Sequence, residues 1–289
     1  MRLNDARVLL TGAAGGIGRA LAAELLKQGA QVLMVDRDEA SLRVASHQLA
    51  FGESGHEVRV VDLTQPSERT RLCQLAGAWR GGVNVLINNA GVNPFGLFDD
   101  LTSAQIERTL AVNVLAPMQL THELLPHLRA QPCTSILNIG SVFGAIGYPG
   151  YVAYSASKFA IRGFTEALRR ELGSGGPKVL YLAPRATRTP INSSTVEQMN
   201  KQLRVAMDPP QAVARTAIRL LASDRPSTVV GWPEKLFVRL NAWVPALVDR
   251  AIRRQLPIIE HHARRNRDDP TQQATPAPGS IPVPRRQIP

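Results

Sequence analysis

The chain has 289 residues, 44% of them hydrophobic, which is enough for one well-built core. Two cysteines, Cys73 and Cys133, are too few for a disulfide scaffold, no residues stand at metal-ligand spacing, and the expected compartment is reducing and cytoplasmic. The net charge is +11, and residues 232–289 hold ten Lys/Arg against five Asp/Glu, but no nucleic-acid reading motif accompanies the charge, which leaves an anionic cofactor or a membrane surface to explain it.

Val8, Leu9 and Leu10 read as a buried strand, followed by a glycine turn over Thr11 to Gly18 and a helix to about Gln28. Gly12 permits a sharp turn, while Gly16 and Gly18 let a pyrophosphate approach a helix N-terminus, where free amides and the helix dipole favour negative charge. No apolar run of signal length precedes this strand, and no run of eighteen apolar residues occurs. The second strand, Ala30 to Asp36, ends in an acid placed to accept hydrogen bonds from an adenosine ribose. A 2′-phosphate would meet Asp36 with like charge; Arg37 offsets this only in part and position 14 is Ala, so NAD is favoured over NADP.

A helix over 39–50 with Leu42, Val44, Ala45 and Leu49 on its apolar side leads to a third strand, Glu57 to Val61. That strand closes on Asp62-Leu63, either an adenine-contacting pair or a solvated turn. After a helix from Pro66 to Trp79, a fourth strand, Val83 to Ile87, runs into Asn88-Asn89-Ala90-Gly91. These small and amide residues either line a crevice over a dinucleotide or, in the case of Asn88, tie neighbouring strands. Leu101 to Leu125 reads as one long helix ended by Pro126. Asn113 in its middle is either a local bend or a placed functional group.

The fifth strand, Ser135 to Ile139, ends in Gly140-Ser141, and Tyr154 and Lys158 share one face of the helix that follows. A sixth strand, Val179 to Leu182, precedes Ala183-Pro184-Arg185, and Val229-Val230-Gly231 is a candidate short seventh. Strands of continuous apolar residues alternating with helices imply a doubly wound parallel α/β sheet with helices on both faces. Residues 187–210 are expected to form a loose lid. Over 232–259, Trp232, Leu236, Leu240, Trp243, Leu247, Val248, Ile252 and Leu256 recur near helical spacing between Lys235, Arg239, Arg250, Arg253 and Arg254. This amphipathic stretch either packs on the domain or a dimer partner, or forms a substrate-channel wall or a surface resting on anionic lipid. From His262 the composition reads as a disordered tail.

Chemistry concentrates at the strand ends. Hydride transfer at an alcohol carbon requires a proton moved on or off its oxygen. Ser141 can polarise that oxygen, Tyr154 can act as general acid or base, and the Lys158 ammonium favours the phenolate and lowers a phenol pKa that starts near 10. Lys158 can also hold the nicotinamide ribose, and Asn113 can fix a water that connects Lys158 to solvent.

These motifs resemble the short-chain dehydrogenases/reductases of the classical type, here with an extended C-terminus. Thr11-Gly12-Ala13-Ala14-Gly15-Gly16-Ile17-Gly18 is similar to the family's Thr-Gly-x-x-x-Gly-x-Gly turn, Asn88-Asn89-Ala90-Gly91 to its Asn-Asn-Ala-Gly, and Asn113, Ser141, Tyr154 and Lys158 to its catalytic tetrad. The resemblance spans residues 5 to 231 and implies a seven-stranded Rossmann-type sheet and a homodimer or homotetramer. It implies cofactor contacts from Gly12, Ala14, Gly15, Gly16, Ile17, Gly18, Asp36, Arg37, Asp62, Leu63, Asn89, Ala90, Gly91, Tyr154, Lys158, Pro184, Thr187 and Thr189. With the periodicity over 232–259 and the composition after it, the chain divides into a catalytic domain over 1–231, a helical extension over 232–261 and a tail over 262–289. Arg185 departs from the family's Pro-Gly: it either points outward or meets an anionic group on substrate or cofactor. Phe143, Tyr148 and Tyr151 near Ser141, with Phe95, Phe98 and Met207 in loops, suggest a hydrophobic alcohol or ketone. The expected activity is NAD(H)-dependent oxidation and reduction between a secondary alcohol and a ketone. The alternatives are a reductase of fatty-acyl or sterol-like ketones and a non-catalytic dinucleotide sensor or scaffold.

Overall fold

The computed structural model describes residues 2–49, 55–223 and 225–267. Seven parallel strands form one sheet in the order β3-β2-β1-β4-β5-β6-β7. They are β1 (Arg7–Thr11), β2 (Gln31–Asp36), β3 (His56–Val60), β4 (Val85–Asn88), β5 (Ser135–Ile139), β6 (Lys178–Ala183) and β7 (Ser227–Val229). The chain reverses its winding direction between β1 and β4, and the C-terminal ends of these two strands open the crevice in which such sheets bind ligands.

Helices cover both faces, which is why the central strands are apolar throughout rather than alternating. On one face α1 (Gly16–Lys27) packs against α8 (Pro210–Ala222), closing a core of Leu10, Leu21, Leu25, Val213 and Leu221. On the other, α3 (Pro66–Ala78) and α5 (Ala116–Ala130) enclose Leu9, Leu33, Leu72, Leu86, Leu120 and Leu124. In α2 (Glu39–Leu49), Leu42 and Ala45 are buried, whereas Val44, expected on the same side, is 50% exposed.

Two expectations change in the helices. The single helix predicted over 101–125 is three pieces: α4 (Ser103–Leu110), a π-helical turn (Ala111–Leu115) and α5. The π-turn holds Asn113, so the bend and the placed side chain are one feature. Pro126 does not end the helix; it lies inside α5, and the residue whose carbonyl loses its partner, His122, is exposed to water.

Beyond α6 (Val152–Leu172), the predicted lid contains α7 (Ser194–Gln202), and the C-terminal extension folds into α9 (Glu234–Trp243), α10 (Pro245–Arg253) and α11 (Leu256–Arg267). The helix α11 runs six residues into the segment read as disordered, and His262 and Ala263 are buried in it. Ile259 and Ala263 pack with Val196 and Met199 of α7 and with Phe95 and Tyr151. His262 Nε2 meets Gln202 Oε1 at 2.9 Å and Asn266 bonds both Ser193 and the Phe95 carbonyl, so the lid is clamped rather than loose. Residues 268–289 of the expected tail lie outside the described residues.

Candidate active site

The glycine turn is built for close approach. Gly12 has φ +64° and a Cβ there would lie 2.7 Å from Ala90 Cα; a Cβ on Gly18 would lie 2.1 Å from the Gly12 carbonyl oxygen. Gly16 packs against Thr189, whose methyl would be 2.7 Å from an added Cβ, so the start of the lid rests directly on the turn. No side chain caps α1, and its first-turn amides remain open to an anion. Thr11 Oγ1 accepts from the amides of Asn89 and Ala90, and Asn89 Nδ2 donates to the carbonyls of Thr11 and Gly12. Asn89 therefore locks β4 to the glycine turn while lining the cleft beside Gly91. Asn88 takes the other role: its Nδ2 donates to Asn138 Oδ1 and Thr121 Oγ1, tying β4 to β5 and α5.

At the end of β2, Asp36 Oδ2 accepts from the Ala14 amide and Oδ1 from the amides of Arg37 and Asp38. A carboxylate can accept about four hydrogen bonds, so three backbone donors orient this one and leave room for a ligand hydroxyl. Arg37 is exposed. Asp62 spends Oδ1 on Thr64, and Leu63 packs at the edge of the core beneath β2. Arg108 on α4, which the sequence reading missed, feels both the Arg37 cation and the Asp62 carboxylate; burial foremost, then Arg37, lowers its pKa. No local pattern marks it, because it reaches this corner only through the packing of α4.

Tyr154, Ser141 and Lys158 come together as predicted, on the wall of a cleft of about 530 Å³. Lys158 Nζ donates to the Ile139 carbonyl at 3.0 Å and lies 5.6 Å from the Tyr154 ring centre. Ser141 Oγ accepts from the Phe143 amide. Burial pushes the Tyr154 phenol up to about 12, against a smaller downward pull from its hydrogen bond with Ser141. Burial likewise brings the Lys158 ammonium down to about 8. At Tyr154 burial sets the direction of the shift in this structure.

Asn113 Nδ2 donates to the Val92 carbonyl and to Ser157 Oγ, and its Oδ1 accepts from the Val92 amide. The side chain therefore positions the 91–92 loop and α6; Oδ1 keeps one acceptor site, and Asn113 and Lys158 line one small cavity together.

Among the proposed substrate contacts, Phe143 stacks on Tyr148 at 4.9 Å, and both line the cleft with Tyr151. Tyr148 donates its hydroxyl to Gln255 Oε1 at 2.6 Å, joining the serine loop to the C-terminal extension. Phe95 is buried behind Tyr151, Phe98 is 56% exposed, and neither borders the cleft; Met207 sulfur instead receives a contact from Asn200. Arg185 corrects both expectations made for it. It borders the cleft, but its guanidinium grips Asp208 through two hydrogen bonds of 2.9 and 2.6 Å, and Glu234 and the Trp232 carbonyl through a third nitrogen. The anion it meets belongs to its own chain. Pro184 and Thr187 hold the same loop: the Pro184 carbonyl accepts from Val142, and Thr187 Oγ1 donates to the Arg185 carbonyl.

A glycine-rich strand-to-helix turn, a strand-end acid and a Tyr-Lys pair at the crevice of a doubly wound sheet define a dinucleotide-binding oxidoreductase. The comparisons give the family. The model described as short chain dehydrogenase matches residues 6–200, and the chain belongs to that family. It is 28% identical over 271 residues to an oxidoreductase of Bacillus subtilis, YxnA, covering 91% of this chain and 76% of that protein. It is 28% identical over 270 residues to the ketoacyl reductase HetN of a Nostoc species, covering 91% and 93%. Among solved structures, a short chain dehydrogenase/reductase from Burkholderia phymatum, in complex with NAD, superposes with a TM-score of 0.77 at 24% identity, covering 86% of this chain and 96% of that one.

Proposed function

We propose that this oxidoreductase uses NAD(H) to interconvert a secondary alcohol and a ketone on a hydrophobic substrate, with Tyr154 exchanging the proton. The observation that carries the reading is the convergence of Tyr154, Ser141 and Lys158 on a cleft whose walls are mostly aromatic and aliphatic. The glycine slot, the open amides of α1 and the oriented Asp36 fit a dinucleotide without a 2′-phosphate. When bound, it supplies or accepts the hydride. Lys158, anchored at the Ile139 carbonyl, retains donors for ribose hydroxyls. The Ser141 hydroxyl holds the carbonyl oxygen, and Tyr154 donates the proton in the reductive direction. A phenol that is neutral at physiological pH suits that direction, and the likeness to a ketoacyl reductase agrees with it. A sensor or scaffold has no physical need for the Tyr-Lys pair.

The test is NADH fluorescence followed with ketones graded by chain length, including β-ketoacyl thioesters and steroids. Turnover should improve with apolar size; tight NADH binding with no turnover across the panel would return the protein to the sensor reading. Asp36→Ala should weaken NADH binding roughly tenfold, the value of a charge-assisted hydrogen bond, while NADPH binding improves. Fluorescence titration with both cofactors reads this directly, and a wild-type preference for NADPH would count against the assignment.

Oligomerisation belongs to the same proposal. Leu115, Met118, Val152 and Phe159 are exposed on the π-turn, α5 and α6, an apolar face that suits a second copy. Phe159→Glu should shift the mass measured by light scattering toward a monomer.

A further inference from the structure

The extension presents two different faces. Val248, Leu240 and Ile252 pack inward on Val142 and Ile146, beside the catalytic serine. Asn241 Nδ2 fixes α9 to the Ala145 carbonyl. Much of its outside is bare: of fifteen large hydrophobic residues exposed among the described residues, six fall between Trp232 and Leu247, and four of these, Trp232, Leu236, Trp243 and Val244, do not border the cleft. Leu236 and Trp243 are seven apart on α9 and so share one stripe. Trp243 is 87% exposed at the corner where α9 gives way to α10, and Val244, Pro245, Ala246 and Leu247 continue the exposed apolar run. Arg239 and Arg250 are exposed within two helical turns of this corner, and Arg253 and Arg254 are exposed at the far end of α10, with Asp249 the exposed acid among them. Phe237 and Leu247 are both exposed and part of the cleft wall, so apolar side chains of the extension reach from its outside to the cleft.

We infer that the α9–α10 corner is a docking surface for an anionic lipid bilayer, with Trp243 and Val244 entering the headgroup region and the four arginines meeting lipid phosphates. The delivery of an apolar substrate through the adjoining cleft mouth rests on the function proposed above; the docking itself does not. Charge selects this occupant over a second copy of the chain. A two-fold contact centred on the corner would bring the same arginines against themselves, whereas an anionic surface complements them. A tryptophan and aliphatic tip on helices that carry exposed arginines suits the interface of a bilayer, and no described helix is long and apolar enough to cross one.

The experiment is co-sedimentation of the full chain with phosphatidylcholine vesicles containing about one third phosphatidylglycerol, against phosphatidylcholine alone. The wild type should sediment with the anionic vesicles, with binding that weakens as salt is raised. The double variant Trp243→Ser/Val244→Ser should bind about tenfold more weakly. Each of Arg250→Gln and Arg253→Gln should cost about fivefold. All variants should keep NADH binding and circular dichroism, since none of these residues lines the cleft. Absence of sedimentation with anionic vesicles, or binding unaltered by the double variant, overturns the proposal. So does self-association that Trp243→Ser abolishes without any lipid binding, which would assign the corner to a second copy. Because sedimentation is read without turnover, its failure would leave the dehydrogenase reading standing, and failure of the ketone panel would leave the docking surface standing.

Discussion

Tyr154→Phe should reduce ketone turnover by roughly 10³-fold, within the span of general acid–base contributions, while NADH binding stays within about twofold of wild type. The phenyl ring preserves the aromatic wall that Tyr154 forms with Phe143 and Tyr151, so only the hydroxyl is removed. The pH dependence gives a second reading of the same site. Burial holds the Tyr154 phenol near 12, so the proton that the proposed mechanism needs would be in place across the neutral range. The Lys158 ammonium, drawn down to about 8, supplies the charge that favours a phenolate forming as the proton leaves. The reduction rate should therefore fall as pH rises through about 8, when that charge is lost. Oxidation requires the phenolate at the outset and should instead gain from rising pH. Stopped-flow measurement across pH 6–10 checks both slopes (the interval being roughly centred on the lysine). Retention of turnover in Tyr154→Phe would remove the tyrosine from the proton step.

Arg185→Ala should destabilise the protein by roughly 3 kcal/mol, because it removes charge-assisted hydrogen bonds to both Asp208 and Glu234 and leaves two carboxylates without their shared cation in a partly buried setting. For a chain of this size that corresponds to a fall in Tm of about 6–12 °C by calorimetry. The loss should be local in origin. Arg185 bridges the loop after β6, the end of the lid at Asp208 and the start of α9 at Glu234, so the variant should also raise KM for substrate more than it lowers kcat. An unchanged Tm with weakened cofactor binding would restore the expectation of a phosphate contact.

Much of the site is legible because its determinants are local. The turn from Thr11 to Gly18 needs glycine wherever backbone must approach backbone, and the clashes found at Gly12 and Gly18 are the reason for that spelling. Tyr154 and Lys158 share a face because a helix has 3.6 residues per turn. Asp36 ends a strand, and strand ends in this fold meet the crevice.

What local pattern leaves open depends on distant partners. Asn113 reads as either a bend or a placed amide, and its hydrogen bonds to Val92, 21 residues away, and Ser157, 44 away, make it both. The polar spelling after residue 261 suggests disorder, although Ile259, His262, Ala263 and Asn266 follow helical spacing that could have revealed α11.

The sequence by itself determined the sheet, the cofactor slot and the Ser-Tyr-Lys set, since strand burial, turn stereochemistry and helical period are short-range properties of the chain. Only the tertiary structure decided that Arg185 is neutralised by carboxylates 23 and 49 residues away, that α11 clamps the lid, and that α9 and α10 line the cleft with one face and leave the other bare. It also decided the direction in which burial shifts Tyr154 and Lys158. Desolvation and ion pairing depend on which groups the fold brings within a few ångströms, and no local pattern encodes that.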